Sequence, residues 1–217
     1  MYCVLLAIPS ISQVNGMKTS NRAEIRQRIR KKRFELTREQ QRSSALALLQ
    51  HFSNSARIKQ AQHVAIYLSN DGELSTQPLI DWCWQQGKSV YLPVIHPFSK
   101  GHLLFLKYTP HTQLTKNQYG ISEPKLDIRD LILPAQLDII CTPLVAFDKT
   151  GARLGMGGGF YDRTLSSWYK DYQTNKNAKP YPLGIAHNCQ QVDSLPCESW
   201  DIPLPEVFTP SQQHIFN

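Results

Sequence analysis

The chain is predicted to fold as an α/β protein, a three-layer sandwich in which helices cover both faces of a mostly parallel sheet. Two observations carry that expectation. Short apolar runs of strand length, at 64–68, 89–94, 138–147 and 183–186, alternate with longer stretches of helical period. Strands separated by helices pair in parallel and need cover on both sides. A glycine-rich run, Gly155-Met-Gly-Gly-Gly159, also stands between an apolar run and a helical one, a usual strand-to-helix junction in such folds. At 217 residues, with 41% hydrophobic and 19% charged residues, the chain suits one globular domain, taken as 17–217.

Residues 1–16 contain Val4-Leu-Leu-Ala-Ile8, too short to span a bilayer and without the preceding basic residue of a secretory leader. They are read as an extension outside the folded unit, with Met17 as the natural start and a targeting segment as the alternative. Asn21 and Glu24 have capping-box spacing and open a helix whose Ile25, Ile29 and Leu36 form a narrow apolar stripe. Thr37 and Gln40 repeat that signal, so a second helix is expected over about 38–52, with Ala45, Leu46, Leu48 and Leu49 in the core. Strand 64–68 ends in the turn Ser69-Asn-Asp-Gly72. Helix 77–86 buries Leu79, Ile80, Trp82 and Cys83 and stops at Gly87.

Strands follow at 89–94 and 103–108, and then a turn-rich stretch over 109–136. Strand 138–147 turns back through Asp148-Lys-Thr-Gly151 and Ala152-Arg-Leu154 into the glycine loop. Phe160, Leu165 and Trp168 support the helix beyond it. Residues 173–180 are polar and expected to be mobile. A buried strand at 183–186 and the apolar pair Val207-Phe208 complete the pattern.

Charge is unevenly spread. Between Arg22 and Arg42 there are nine Arg or Lys (22, 26, 28, 30, 31, 32, 33, 38, 42) against Glu24, Glu35 and Glu39, whereas residues 43–217 balance. Arg22, Arg26, Arg30 and Arg33 make a second stripe beside the isoleucines, spread over about 80° at helical pitch. A row of guanidiniums suits phosphate or carboxylate because its donors form a rigid fork. A solvated basic face and a nucleic-acid patch are the alternatives. The patch is disfavoured because the rest of the chain adds no net positive charge and no interleaved aromatics.

Five scattered cysteines without a Cys-x-x-Cys pair argue against a disulfide framework or zinc cluster and for a reducing compartment, the cytoplasm. The seven histidines lie far apart without metal-ligand spacing, and no Ser-His-Asp or Cys-His signature appears. The glycine loop lacks the lysine of the P-loop and the spacing of the dinucleotide fingerprint, yet it can aim amides at one point as a phosphate cradle. A turn that only packs is the alternative. Arg153 and Arg163 flank it as candidates to neutralise phosphate oxygens. Asp162, in the first turn of the next helix, is a candidate magnesium ligand or a plain helix-terminal carboxylate. Asp201 is a candidate second metal ligand. Glu73, after strand 64–68, can accept hydrogen bonds from ring N–H groups of a heterocycle, or stand solvated in its turn.

With those residues in view, the run Thr142-Pro-Leu-Val-Ala-Phe-Asp-Lys-Thr-Gly-Ala-Arg-Leu-Gly-Met-Gly-Gly-Gly-Phe-Tyr-Asp-Arg163 resembles the 5-formyltetrahydrofolate cyclo-ligase family, also called 5,10-methenyltetrahydrofolate synthetase. Leu68-Ser-Asn-Asp-Gly-Glu73 and Tyr91-Leu-Pro-Val-Ile-His-Pro-Phe98 resemble its bacterial branch, and the likeness runs over about 21–210. It implies ATP-dependent closure of 5-formyltetrahydrofolate to 5,10-methenyltetrahydrofolate through a phosphorylated formyl group, with ADP and phosphate released and Mg²⁺ required. It assigns ATP binding to Arg22, Arg26, Gly155, Gly157, Gly158, Gly159 and Tyr161, and Met156 and Phe160 of the same loop and the flanking Arg153 and Arg163 are counted with them. Catalysis falls to Arg26, Tyr161 and Asp162, metal binding to Asp162 and Asp201, and folate binding to Glu73. Relatives often carry lysine in the opening helix where Arg22 stands here.

The partner implied is a reduced folate, with or without an anionic polyglutamate tail, for a monomer that binds neither nucleic acid nor membrane. Two other functions compete: a non-catalytic nucleic-acid-binding protein using the basic 22–42 helix, and another phosphate-ligand enzyme on a similar sheet, such as a sugar-phosphate isomerase or CoA transferase.

Overall fold

Asn21 opens the first helix as its capping box requires: its side chain accepts from the Ala23 amide at 3.0 Å, and Glu24 accepts from the Asn21 amide at 3.3 Å. The computed structural model describes residues 21–216, so the expectations for 1–16 and for a start at Met17 lie outside the described residues. Helix α1 (Arg22–Phe34) gives way at Thr37, whose own capping box starts α2 (Arg38–Asn54), and a short α3 (Ala56–Gln60) follows. Then come β1 (His63–Ala65), α4 (Gln77–Gln85), β2 (Ser89–Ile95) and β3 (Leu103–Tyr108). The turn-rich stretch holds β4 (Leu114–Lys116), β5 (Ser122–Pro124) and β6 (Leu131–Ile132). After β7 (Ile139–Pro143), β8 (Ala146–Phe147) and β9 (Arg153–Leu154) the glycine loop leads into α5 (Phe160–Thr174). β10 (Tyr181–Ile185), β11 (Glu206–Phe208) and β12 (Gln213–Ile215) end the order.

One sheet of eight strands runs β12-β11-β10-β7-β1-β2-β3-β6. Its middle, from β11 through β10, β7 and β1 to β2, is parallel; β12, β3 and β6 join antiparallel at the two edges. One face is covered by α2, α3 and α4, which bury Leu48, Phe52, Ile58, Leu79, Ile80 and Cys83 against Val64, Ile139 and Leu183. The other is covered by α5, through Leu165 and Trp168 against Ala65, Ile140 and Val207. This is the expected sandwich.

Differences from the expectation have local causes. The 138–147 run splits because Pro143 has no N–H to continue the ladder; Ala146 and Phe147 pair instead with Leu154 and Arg153 in a small hairpin turned at Asp148–Gly151. Leu36 lies past the end of α1, and the third inward residue of that helix is Arg33, 1% exposed. Leu46, placed in the core by its composition, is 52% exposed because α2 buries the Ala45, Leu48 and Phe52 face. Within 173–180, α5 reaches Thr174, and Trp168 Nε1 donates to the Ala178 carbonyl at 3.2 Å.

Helix α1 belongs to neither covering layer. Ile25 and Ile29, each 1% exposed, pack on Val145, Ala146 and Leu154 and so dock α1 on the β8–β9 hairpin, directly before the glycine loop.

Phe52 joins three elements, with its ring 5.8 Å from Trp82 and 6.4 Å from Phe208, edge to face in both cases. We expect Phe52→Ala to cost about 3–5 kcal/mol, read from the urea midpoint at unchanged slope; a loss under about 1 kcal/mol would show that α2 and α4 do not share a core with β11.

Candidate active site

Strand order places the site. β1 leads through α4 to β2 on one side, while β7 on its other flank leads to β10, so the connections beyond β1 and β7 diverge. Open α/β sheets bind ligands at such a switch point, beyond the carboxyl ends of the strands. A cleft of about 800 Å³ opens there, with Tyr67 and Leu68 after β1 and Pro143 and Leu144 at and after β7 in its wall. That volume is at the upper end for a site holding a drug-sized ligand.

One half of the cleft is built for an anion. Gly157 and Gly159 sit at φ 104° and 66°, in the left-handed region that favours glycine. Gly159 is also the N-cap of α5 and brings no side chain to it, so the helix start has no side-chain cap among the described residues. Exposed helix N-termini with a favourable dipole bind phosphate-like groups. Gly155, Met156, Gly158, Phe160 and Tyr161 complete this wall, with Asp162 in the first turn of α5, as expected.

The α1 guanidiniums arrive from above. Arg26 Nε donates to the Gly155 carbonyl at 2.8 Å, and a Cβ on Gly157 would stand 3.7 Å from its Nη2. Arg26 has no carboxylate partner among the described residues. Burial, and then the neighbouring Arg22, depress its pKa, a strain that a bound anion would relieve. Arg22 instead forms a two-pronged pair with Asp201, at 2.8 and 3.0 Å. Arg153 lies beneath the loop with its side chain 4% exposed; Nη2 donates to Asp162 Oδ1 at 2.7 Å, and Nε has no partner among the described residues.

Arg163 is the one predicted site residue absent from the cleft wall. It lies one turn along α5 and donates from Nη1 to the Gly158 carbonyl at 2.8 Å, bracing the loop from behind.

The two candidate metal carboxylates share the cleft but differ. Asp162 receives both of its bonds, from Arg153 and the Ile202 amide, on Oδ1, which leaves Oδ2 unengaged among the described residues. Asp201 has both oxygens occupied, by Arg22 and by the Glu198 amide at 2.8 Å. Among the described residues no group of three or more His, Cys, Asp or Glu is placed to hold an ion alone. The donor set fits magnesium arriving on phosphate oxygens, for which one carboxylate and water suffice; it does not fit a resident all-protein cage.

In the other half, Glu73 is half-buried, closing a four-residue turn: its amide donates to the Asn70 carbonyl at 2.9 Å, and its Oε2 accepts from the Asn70 amide at 3.0 Å. Burial pushes its pKa up to about 7. Burial and then the Glu73 carboxylate raise the Tyr67 and Tyr161 hydroxyls above the usual phenol range, so both remain donors near it.

Sequence reading missed several residues of this wall. The 109–126 arm is a hairpin that brings Tyr119 to the cleft, 6.2 Å edge to face from Phe160. Glu123 Oε2 fixes the arm by accepting from Asn117 Nδ2 at 2.9 Å and from the Ile95 amide at 3.3 Å. Asn117-Gln-Tyr-Gly120 between two short extended runs was the available hairpin signal. Trp200, 65% exposed beside Asp201, and Tyr67 carried no comparable signal.

The chain is similar to known proteins over most of its length. The model of the 5-formyltetrahydrofolate cyclo-ligase family matches residues 18–210. A Haemophilus influenzae 5-formyltetrahydrofolate cyclo-ligase is 50% identical over 191 residues, covering 88% of this chain and 98% of that protein. The Escherichia coli K12 protein of that name is 52% identical over 184 residues, 85% of this chain and 97% of its own. An Aquifex aeolicus 5,10-methenyltetrahydrofolate synthetase structure superposes with a TM-score of 0.75 at 27% identity, over 90% of this chain and 93% of that one.

A Cβ at position 157 would touch the Arg26 guanidinium at an ordinary contact distance, 3.7 Å, but at an unfavourable φ of 104°. Gly157→Ala is expected to leave the fold intact and to weaken tripolyphosphate binding, measured by calorimetry, by roughly tenfold or more for a strain of about 1–3 kcal/mol. Unchanged affinity would remove the loop from the anion site.

Proposed function

The chain belongs to the 5-formyltetrahydrofolate cyclo-ligase family, and from that premise we propose that its cleft joins ATP and 5-formyltetrahydrofolate for phosphoryl transfer, with the triphosphate on the glycine loop and the folate ring against Glu73. The observation that carries this reading is the Arg26 guanidinium, without a carboxylate partner among the described residues, held over left-handed glycines and the uncapped N-terminus of α5.

The formyl oxygen on N5 attacks the γ-phosphorus; a P–O bond forms, the bond to the β-phosphate oxygen breaks, and ADP leaves. N10 then attacks the formyl carbon, gives up its proton, and the C–O bond breaks to release phosphate and the methenyl product. Such chemistry rests on positioning and charge neutralisation rather than on a covalent nucleophile. Arg26 and the loop amides meet the charge on the transferred group, which is why no catalytic triad is needed. Arg22 and Arg153 supply a second rank of positive charge, each tethered to a carboxylate. Magnesium, held on the phosphates and by Asp162, would neutralise charge there. Tyr161 stays a hydrogen-bond donor at the wall between the two half-sites.

Glu73 accepts from ring N–H groups of the reduced pterin on both oxygens, and with the strength of a charge-assisted bond, only as a carboxylate. The stripe on α1 is a poor nucleic-acid surface because Arg22, Arg30 and Arg33 are paired with aspartates and Arg26 faces the loop. The cytoplasm remains the compartment of this reading, in keeping with the unpaired thiols of Cys83, Cys141, Cys189 and Cys197; no helix among the described residues is long and apolar enough to cross a membrane.

Absorbance of the methenyl product gives the assay. Arg26→Ala and Asp162→Asn are each expected to lose about 10²-fold or more in rate with wild-type circular dichroism; near-wild-type rates in both would overturn the site assignment. A raised acid pKa means the carboxylate forms only as pH climbs, so KM for 5-formyltetrahydrofolate should fall as pH rises through about 7 and level off above it. Glu73→Gln should raise that KM and abolish the dependence; a pH profile retained in the variant would assign the titration elsewhere.

A further inference from the structure

We propose that Asp71, clamped between Arg30 and Arg33 of α1, is a positioning residue that sets Glu73 for its folate contact. The inference rests on the reading of Glu73 as the folate-binding acid. Arg30 Nε and Nη2 donate to Asp71 Oδ2 and Oδ1 at 2.7 and 2.6 Å, and Arg33 Nη2 donates to Oδ2 at 2.6 Å. Three charge-assisted bonds therefore converge on one carboxylate two residues before Glu73.

The backbone shows why the clamp matters. Asp71 sits at φ 51°, among the non-glycine residues described the one with positive φ, and such a conformation persists only where its surroundings enforce it. Gly72 follows at φ 71°, and a Cβ there would come 3.4 Å from Arg33 Cβ. Its carbonyl accepts from Gln41 Nε2 of α2 at 3.3 Å. The turn that ends in Glu73 is thus held by its own Asn70 bonds, by α2 and, through Asp71, by the helix that carries Arg22 and Arg26. From Arg22 to Arg33 that helix spans about 16 Å, enough for one rigid element to serve both halves of the cleft.

Arg33 separates this role from direct ligand contact. Its side chain is 1% exposed and it is absent from the cleft wall, whereas Arg30 and Asp71 are part of it. Among the described residues the charged and titratable groups facing Glu73 are Arg33 from α1, Asp71 from its own turn, Tyr67 from the chain after β1 and Tyr161 from α5; His187 meets the same turn at Gly72 and faces Arg33, and burial pushes its pKa down to about 4, so it is neutral across the tested range. Arg33 favours the Glu73 carboxylate and Asp71 disfavours it.

The test measures KM for 5-formyltetrahydrofolate and for ATP, and kcat, across pH in Arg33→Met, Asp71→Asn, the double variant and Glu73→Gln. Arg33→Met leaves Asp71 paired with Arg30 and removes a buried charge. Should Asp71→Asn fail to fold because it strands Arg33, the double variant removes that buried cation and leaves unpaired only Arg30, whose side chain is 41% exposed. Folate KM is expected to rise about tenfold in the Arg33 and Asp71 variants while ATP KM holds. The pH midpoint of folate KM moves up in Arg33→Met and down in Asp71→Asn.

A wild-type folate KM and midpoint in Arg33→Met, or midpoints that move the same way in both variants, would overturn the proposal, since a loosened turn alone has no reason to split them. If Glu73→Gln itself leaves folate KM unchanged, the reading of Glu73 falls and this inference with it. If Glu73→Gln raises KM and Arg33→Met does not, only the inference falls.

Discussion

Two isoleucines on one helix determine most of what this cleft can do. Ile25 and Ile29 are fully desolvated against Val145, Ala146 and Leu154, and that contact is the apolar anchor of α1 outside the covering layers. With their burial fixed, helical geometry decides where Arg22, Arg26, Arg30 and Arg33 go. Each isoleucine contributes about 1.5–3 kcal/mol through burial, so the helix is oriented by hydrophobic free energy more than by the ion pairs of Arg22 and Arg30, which at partly exposed sites contribute little.

The placement of charge follows from it. Three of the four arginines meet a carboxylate, Arg22 with Asp201 and Arg30 and Arg33 with Asp71, and Arg153 meets Asp162 below the loop. Pairing keeps a crowded set of cations from repelling one another and fixes their geometry before any ligand arrives. Arg26 stands apart, spending one donor on the Gly155 carbonyl. A preorganised positive site with few bonds to break is what phosphoryl transfer asks of a protein. The opposite half of the cleft follows another logic, burying an acid among tyrosyl hydroxyls so that its charge state is poised near neutrality.

Much of this was legible in the sequence. Both capping boxes fixed helix starts to the residue, since Asn21/Glu24 and Thr37/Gln40 are local hydrogen-bond patterns. The strand-helix alternation pointed to the sandwich, and the glycine run pointed to the loop because glycine is favoured at the positive φ of 157 and 159. What escaped is non-local. Arg33 and Asp71 lie 38 positions apart, and nothing in either neighbourhood says that a helical arginine will be buried on a distant turn. The arm that carries Tyr119 is short-stranded and polar, so its hairpin has little periodicity to read. Asp201 was named as a metal carboxylate from its place in the tail, and only the fold shows both its oxygens engaged by Arg22 and the Glu198 amide.

The central claim is that Arg26, delivered by the docked helix, grips the phosphates of the nucleotide. Its most direct measurement is a ladder of magnesium-dependent affinities for ATP, ADP and AMP in the wild type and in Arg26→Ala. The account predicts that the wild type loses affinity steeply as phosphates are removed and that the variant flattens the ladder by weakening ATP most. Parallel ladders, with the three nucleotides weakened equally or none of them weakened, would contradict it.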